Sequence, residues 1–204
     1  MIDVILLSSG IHGREIVEIL RRTGNYKLIG IIRSEETQEQ TSPDGVPVLG
    51  GLSVLSDFPD TALIHDNEWS FENLNNPDIS KRLISLIDPA SFVHPSAVIN
   101  RGCVVYPNCF IGAEAIIGES CLLLSGAVVN HNCVLGKRVI MATGAHLAGG
   151  VQVGDTAYIG QDATVRQNLS IGSCALIGMG AVVVKSVPDN AVVAGNPAKL
   201  IRMK

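Results

Sequence analysis

Histidine is the residue type in this chain that is best suited to moving protons, because an imidazole accepts and donates protons near neutral pH. The 204 residues include five histidines: His12, His65, His94, His131 and His146. His131 stands out because it lies in the segment Val129-Asn130-His131-Asn132-Cys133, between two residues that suit a protein interior. Its own side chain should therefore point outward. Two interpretations stay open: a general base that faces a substrate, or a solvated surface histidine.

The elements that would hold His131 are indicated by a repeat of six residues. Every sixth residue from position 93 to position 183 is aliphatic, a period that neither an amphipathic helix nor a half-buried strand produces. These residues are Val93, Ile99, Val105, Ile111, Ile117, Leu123, Val129, Leu135, Met141, Leu147, Val153, Ile159, Val165, Ile171, Ile177 and Val183. Four places after each of them comes a small or apolar residue, as at Ala97 and Cys103. The period predicts a repeat fold in which every hexad sends one large and one small side chain inward.

The first 90 residues lack this period and indicate a small α/β unit. Apolar runs at residues 4–7, 28–32 and 62–64 predict strands, and residues 14–22 predict a helix that packs on the sheet. Residues 83–87 are expected to end a helix, because Asp88-Pro89 follows and breaks it. The turn between the first strand and the first helix contains Gly10, His12 and Gly13. We therefore expect two domains, residues 1–88 and residues 89–204, the second of them with a C-terminal tail.

Several motifs together resemble a known family. They are Gly-Ile-His-Gly at residues 10–13, Gly-Val-Pro-Val-Leu-Gly at residues 45–50, the hexads, and Gly-Asn-Pro-Ala-Lys at residues 195–199. Over nearly its whole length the chain resembles the hexapeptide-repeat sugar acyltransferases of the sialic acid O-acetyltransferase and bacillosamine N-acetyltransferase group. The resemblance implies a mixed fold: a small Rossmann-like α/β domain, then a left-handed parallel β-helix in which three hexads form each triangular coil.

The resemblance also implies a role for His131, as the general base that takes a proton from the attacking amine or hydroxyl. The relatives carry Asp or Glu directly after this histidine, whereas this chain has Asn132. Glu114 lies one coil earlier than Asn132, at about the 4.8 Å spacing of paired strands, so we expect it to supply the missing carboxylate. Gly149 lies one coil after His131. Its expected roles are to leave space for the reacting group and to bond the thioester oxygen through its N–H, unless it is only a corner.

Acetyl-coenzyme A is the donor that the resemblance implies, lying along successive coils in a groove between two subunits of a homotrimer. Gln167 is one coil beyond Gly149 and falls in that line. Lys199 ends the C-terminal motif, and the matching lysine of the family lies near the nucleotide end of the coenzyme. His146 is expected at the surface or at a subunit interface.

The N-terminal turn has a role in the family as well, because it holds the diphosphate of a nucleotide-linked sugar. The resemblance implies that Gly10, His12 and Gly13 form this site. Relatives end their second strand in two aspartates that contact the nucleoside, but this chain has Arg33 there. Either the nucleotide differs, or Arg33 makes a new phosphate or base contact, or the domain no longer binds a nucleotide.

Composition and charge exclude several other classes of protein. The net charge is −4, so no basic face indicates nucleic acid binding, and no run of 18 apolar residues indicates a membrane span. The N-terminal apolar run is too short for a signal peptide, which predicts a cytoplasmic location.

Four cysteines fall on the small inward positions and predict reduced structural thiols, whereas Cys174 should lie nearer the surface. Zinc enzymes of this fold carry two histidines five residues apart, a pair that this chain lacks, so we expect no metal.

These features lead to one expected function and two rivals. The expected function is acetyl-coenzyme A dependent N-acetylation of an amino group on a nucleotide-linked deoxy-sugar, by direct transfer with His131 as the base. The first rival is O-acetylation of a sugar such as sialic acid. The second is a trimeric β-helix scaffold without catalysis, which the missing carboxylates beside His131 and at Arg33 would suit.

Overall fold

The computed structural model describes residues 1–8, 12–34, 40–66, 74 and 76–204. They form two compact units, Met1–Asp88 and Pro89–Lys204. Among the described residues, no helix is both long enough and apolar enough to cross a lipid bilayer.

The first unit contains a parallel four-stranded sheet. Its elements are β1 (Ile2–Leu7), α1 (His12–Thr23), β2 (Tyr26–Ile32), β3 (Val48–Gly50), a 3-10 helix (Leu52–Asp57), β4 (Ala62–His65), α2 (Pro77–Ser80) and β5 (Leu86–Ile87). The strand order β3-β2-β1-β4 is that of the first half of a Rossmann fold. The last four side chains of β1, residues 4–7, are fully buried, and α1 buries Ile16, Val17, Ile19 and Leu20. The carboxyl ends of β1, β2 and β4 therefore lie side by side at one edge of the sheet.

The expectation of a helix that ends at residue 87 is wrong. Asn76 caps the short helix α2, whose last residue is Ser80. Leu83 then forms a bridge with Leu63 of β4, because the Leu63 N–H bonds the Arg82 carbonyl and the Ile84 N–H bonds the Leu63 carbonyl. Backbone pairing along the sheet edge thus takes the hydrogen bonds that a longer helix would have used.

The second unit is the parallel β-helix that the period of six predicts. Its short strands are β6 (Phe92–Val93), β7 (Val98–Ile99), β8 (Val104–Val105), β9 (Phe110–Ile111), β10 (Ile116–Ile117), β11 (Leu122–Leu123), β12 (Val128–Val129), β13 (Val134–Leu135), β14 (Ile140–Met141), β15 (His146–Leu147), β16 (Gln152–Val153), β17 (Tyr158–Ile159), β18 (Thr164–Val165), β19 (Ser170–Ile171), β20 (Leu176–Ile177) and β21 (Val182–Val183). An antiparallel pair, β22 (Ala191–Ala194) and β23 (Lys199–Met203), follows them.

Each short strand from β6 to β18 pairs in parallel with the strand one coil later. For example, Val128 of β12 lies opposite Phe110 of β9 and opposite His146 of β15. The second residue of each strand from β8 to β21 is buried. Cys103, Cys109, Cys121 and Cys133 are buried and free, which confirms that these thiols fill the inner wall. The predicted fold class is therefore confirmed, and residues one coil apart stack on each other.

Candidate active site

His131 lies at a corner of the β-helix, between β12 and β13. Its side chain is exposed, whereas Val129 and Cys133 on either side are fully buried. The backbone of the corner bonds the neighbouring coils: Asn132 donates its N–H to the Ala113 carbonyl, and the His131 carbonyl accepts from Gly150 N–H at 2.9 Å. The inward residues and these bonds hold the corner from two sides, so the imidazole extends from a rigid support.

Asn132 orients the imidazole ring. The amide oxygen Oδ1 of Asn132 lies 2.9 Å from Nδ1 of His131, and its amide nitrogen Nδ2 donates to Glu114 Oε2 at 2.5 Å. An ionised carboxylate only accepts hydrogen bonds, so Glu114 requires the NH₂ side of the amide to face it. The oxygen of Asn132 must then face His131, and Nδ1 must be the donor. A neutral His131 therefore carries its proton on Nδ1 and leaves Nε2 as an acceptor, the form that a general base needs.

Glu114 stacks under Asn132, as the coil spacing predicts, because the corner before β10 lies beneath the corner before β13. Its carboxylate reaches the imidazole only through the amide of Asn132, and not directly. The Ser96 hydroxyl, one coil earlier still, accepts the Glu114 N–H at 3.0 Å. The ring of His131 thus contacts the amide of Asn132, and the carboxylate of Glu114 lies behind that amide.

Gly149 stacks over His131, also as predicted. A Cβ at position 149 would lie 2.5 Å from both Cε1 and Nε2 of His131, closer than real side chains approach. The missing side chain therefore makes room for the imidazole ring itself, rather than leaving the open space that we expected. The Gly149 carbonyl accepts from Asn168 at 3.0 Å, but the Gly149 N–H bonds no other residue of the described chain. This N–H is therefore available to a ligand.

Cys133 is the other reactive residue type near the base, but it does not suit a nucleophile. Its side chain is fully buried, and its Sγ donates to the Ala148 carbonyl at 3.1 Å. Burial raises the pKa of the Cys133 thiol, and burial likewise raises the pKa of Cys109 to about 11. Because the thiolate is the reactive form, these thiols are inert wall residues.

The other residues of the expected coenzyme site are at the surface. Gln167 is exposed at the corner above Gly149, next to Asn168, whose N–H bonds the Gly149 carbonyl. Lys199 is exposed at the start of β23, opposite Ala194. No contact within the described residues joins Gln167 or Lys199 to His131, so only Gly149 and Glu114 are brought to the base. His146 is exposed on β15, as expected for a surface or interface residue.

The second candidate site lies at the carboxyl edge of the sheet in the first unit. His12 begins α1 and its Nδ1 lies 3.6 Å from Glu15, and Gly13 follows it in the first turn. Arg33 directly follows β2 and donates from its guanidinium to the Ser8 carbonyl at 3.1 Å. These three predicted residues thus lie at one edge. Gly10, the fourth, is outside the described residues.

Sequence reasoning missed two residues at this edge. Ser8 follows β1 and Asp66 follows β4, and both are buried. A signal existed, since polar residues directly after parallel strands gather where ligands bind in open α/β sheets. In the part of the chain that the structure describes, no three His, Cys, Asp or Glu side chains are grouped to hold a metal ion.

Comparisons with known proteins find relatives among solved structures. No model of a known protein family matches the chain, and no curated protein sequence matches it. The acetyltransferase domain of PglB from Neisseria gonorrhoeae, solved with acetyl coenzyme A, is 30% identical and has a TM-score of 0.87, with 98% of each chain covered.

A second relative is PerB from Caulobacter crescentus, in complex with CoA and GDP-perosamine. It is 29% identical with a TM-score of 0.85, and the match covers 98% of this chain and 97% of that one. A histidine-to-asparagine variant of perosamine N-acetyltransferase from the same organism, also with CoA and GDP-perosamine, is 29% identical with a TM-score of 0.88. Both domains of the present fold are covered by these matches.

Proposed function

This chain belongs to the hexapeptide-repeat acetyltransferases of nucleotide-linked amino sugars, and we propose that it moves the acetyl group of acetyl-coenzyme A to a sugar amino group. The observation that carries the proposal is the arrangement around His131. Its Nδ1 faces Asn132, its Nε2 lies against Gly149, and the Glu114 carboxylate completes the chain of hydrogen bonds. Solved relatives hold acetyl-coenzyme A, or CoA with GDP-perosamine, which supports both substrates.

The reaction that this geometry suits is direct transfer. The amine nitrogen attacks the thioester carbonyl carbon, and His131 Nε2 takes one N–H proton as the C–N bond forms. Negative charge develops on the carbonyl oxygen, toward which the Gly149 N–H donates. The C–S bond then breaks, and His131 returns the proton to the sulfur, so that CoA leaves as the thiol. No enzyme-bound acetyl group forms, consistent with the burial of Cys133.

The remaining parts of the proposal concern the substrates and the assembly. Acetyl-coenzyme A extends from Gly149 past Gln167, and Lys199 meets its nucleotide end. The nucleotide of the sugar binds the first unit, at the edge with His12, Gly13 and Arg33, and Gly10, outside the described residues, is the fourth residue proposed for this site. The working form is a homotrimer, because a groove for the coenzyme needs a second wall from a neighbouring subunit. Its proposed location is the cytoplasm.

The proposal predicts thiol release from acetyl-coenzyme A that depends on an amino sugar. With a panel of UDP-, dTDP- and GDP-linked 4-amino sugars, at least one acceptor should give turnover, and the matched 4-hydroxy sugars should give none. Thiol release is followed by a colorimetric thiol reagent, and the product by mass spectrometry. Turnover of only the hydroxy sugars would establish O-acetylation instead. Absence of CoA binding by calorimetry would establish a scaffold.

The proposal also predicts that the carboxylate near His131 can be transferred from position 114 to position 132 with kcat largely retained. Asn132→Asp places a second carboxylate against Glu114, and repulsion between the two should lower kcat by about tenfold. Adding Glu114→Gln removes the repulsion, because the new amide donates to Asp and Asp accepts from Nδ1. The double variant should regain about tenfold in kcat over Asn132→Asp, with KM unchanged.

A matched control exists for this experiment. Glu119 is another corner carboxylate, which pairs with Arg101 and Lys137 at 3.0 Å and touches none of the site residues. Glu119→Gln should therefore leave kcat unchanged and should not rescue Asn132→Asp. If Glu114→Gln fails to rescue it as well, Glu114 has no role in orienting His131.

A further inference from the structure

The carboxyl edge of the first unit contains a buried hydroxyl that points at the start of α1. Ser8 directly follows β1 and is 1% exposed, and its Oγ has no hydrogen-bond partner among the described residues. A Cβ at Gly13 would collide with this oxygen, so Ser8 Oγ faces the first turn of the helix. A buried polar atom of this kind indicates a ligand that completes its hydrogen bonds.

The helix terminus alone does not make this edge positive. The first N–H groups of a helix carry roughly half a positive elementary charge. Asp66, which follows β4 and is fully buried, brings its Oδ2 to 3.8 Å from where a Cβ of Gly13 would lie. This acidic side chain opposes the attraction of the helix terminus for an anion. An anionic ligand therefore needs another cation at this edge.

Arg33 is the cation that the described contacts bring to this edge. Its backbone N–H bonds the Gly50 carbonyl at 2.9 Å, which fixes its position at the end of β2. Its guanidinium crosses from β2 to β1 and donates to the Ser8 carbonyl, so the charge lies beside the first residue of the turn into α1. The side chain is half-buried, which limits screening of its charge by water.

We propose that Arg33 makes this domain read the diphosphate of its nucleotide and not the base. The inference rests on the proposed function and names the part of the substrate that the first unit recognises. Carboxylates at the end of the second strand read hydroxyl and N–H donors, as they do in dinucleotide-binding folds. A guanidinium has donors only, so it cannot accept from a ribose hydroxyl or a base N–H as a carboxylate does. It can donate to a base carbonyl, but its charge-assisted pair with phosphate oxygens is the stronger contact.

The consequence is a domain that tolerates different bases. Nucleoside diphosphates that differ only in the base should bind with affinities within about threefold of each other. Loss of the second phosphate should weaken binding by about tenfold to a hundredfold, the usual worth of a charge-assisted contact in a half-buried site. Raising the salt concentration should weaken the binding of nucleoside diphosphates more than the binding of nucleoside monophosphates.

The test is calorimetry on the full chain, without acetyl-coenzyme A, using UDP, GDP, UMP and GMP. Arg33→Gln should reduce the affinities for UDP and GDP by the same factor, about tenfold to a hundredfold, and should change those for UMP and GMP by much less. Arg33→Lys keeps the charge and should retain part of the affinity. Lys27→Gln, which removes an exposed charge from the amino-terminal half of the same strand, is the control and should bind as the unmodified chain does.

Three results would overturn the inference. The first is a difference above about tenfold between UDP and GDP that Arg33→Gln abolishes, which would make Arg33 a base reader. The second is unchanged binding in Arg33→Gln, and the third is no binding of any diphosphate. Base tolerance and salt dependence are measured on the unmodified chain, so poor folding of a variant does not remove the test. Failure of acetyl transfer with normal diphosphate binding would count against the proposed reaction and not against this inference.

Discussion

Replacing His131 with alanine is expected to lower kcat/KM by about 10² to 10⁴, the usual range for loss of a positioned general base. Attack by an amine on a thioester requires that a proton leave the nitrogen. We propose that Nε2 of His131 takes it, because Nδ1 is engaged with Asn132. The loss should fall on kcat, because in the proposed reaction the ring takes part in proton transfer and the coenzyme contacts other residues. Steady-state thiol release across a range of acceptor concentrations measures both kcat and KM.

The control for this variant is its affinity for CoA. The His131 side chain is exposed and the corner is held by backbone bonds and by Val129 and Cys133, so the fold should persist without the ring. CoA should therefore bind His131→Ala about as tightly as it binds the unmodified chain when measured by calorimetry. Near-normal kcat in a variant that still binds CoA would refute the assignment of His131 as the base.

The period of six residues made much of this site predictable. Parallel strands in register repeat at a constant offset, so a residue in one coil identifies its neighbours above and below. That offset places Gly149 over His131 and Glu114 under Asn132, and the pairing of β10 with β13 agrees with it. Repeats of this kind convert sequence distance into spatial distance, which ordinary loops do not.

The details that the period could not predict depend on side-chain conformation. Nothing in the order of residues says that the amide of Asn132 bridges between Glu114 and His131, because that follows from which face of the amide each neighbour requires. The same is true of the ring of His131, which fills the space that a side chain at Gly149 would occupy. Spacing identified the neighbours, and hydrogen-bonding capacity decided their contacts.

The first unit was less predictable because it has no repeat. Its central strands were evident from apolar runs, but β3 contains only three residues after a proline and was not expected. The reach of Arg33 to the Ser8 carbonyl was equally hidden, since a long side chain can extend along several directions from the same strand end. Predicting a contact between the ends of two strands requires knowing the strand order of the sheet, which the sequence indicates only weakly.

Gly149→Ala is expected to lower kcat by about a hundredfold, because displacement of a catalytic group by about 1 Å commonly costs this much. The new Cβ would lie 2.5 Å from Cε1 and Nε2 of His131, so the ring must move away from the Gly149 N–H. The backbone of Gly149 is not in the left-handed region, so alanine adds no backbone strain at this corner, and the contact with the ring is the cost that remains. The measurement is kcat for thiol release, together with the midpoint of thermal unfolding.

The double variant His131→Ala/Gly149→Ala separates a steric cause from any other. Once the ring is absent, the added methyl group meets no imidazole, so the second substitution should cost nothing further in kcat or in thermal stability. The two effects are then strongly non-additive, as expected for residues in contact. If the reductions in kcat from the two substitutions multiply instead, Gly149 acts independently of the position of the ring. The close approach of its backbone to Nε2 would then not explain why a glycine lies one coil above His131.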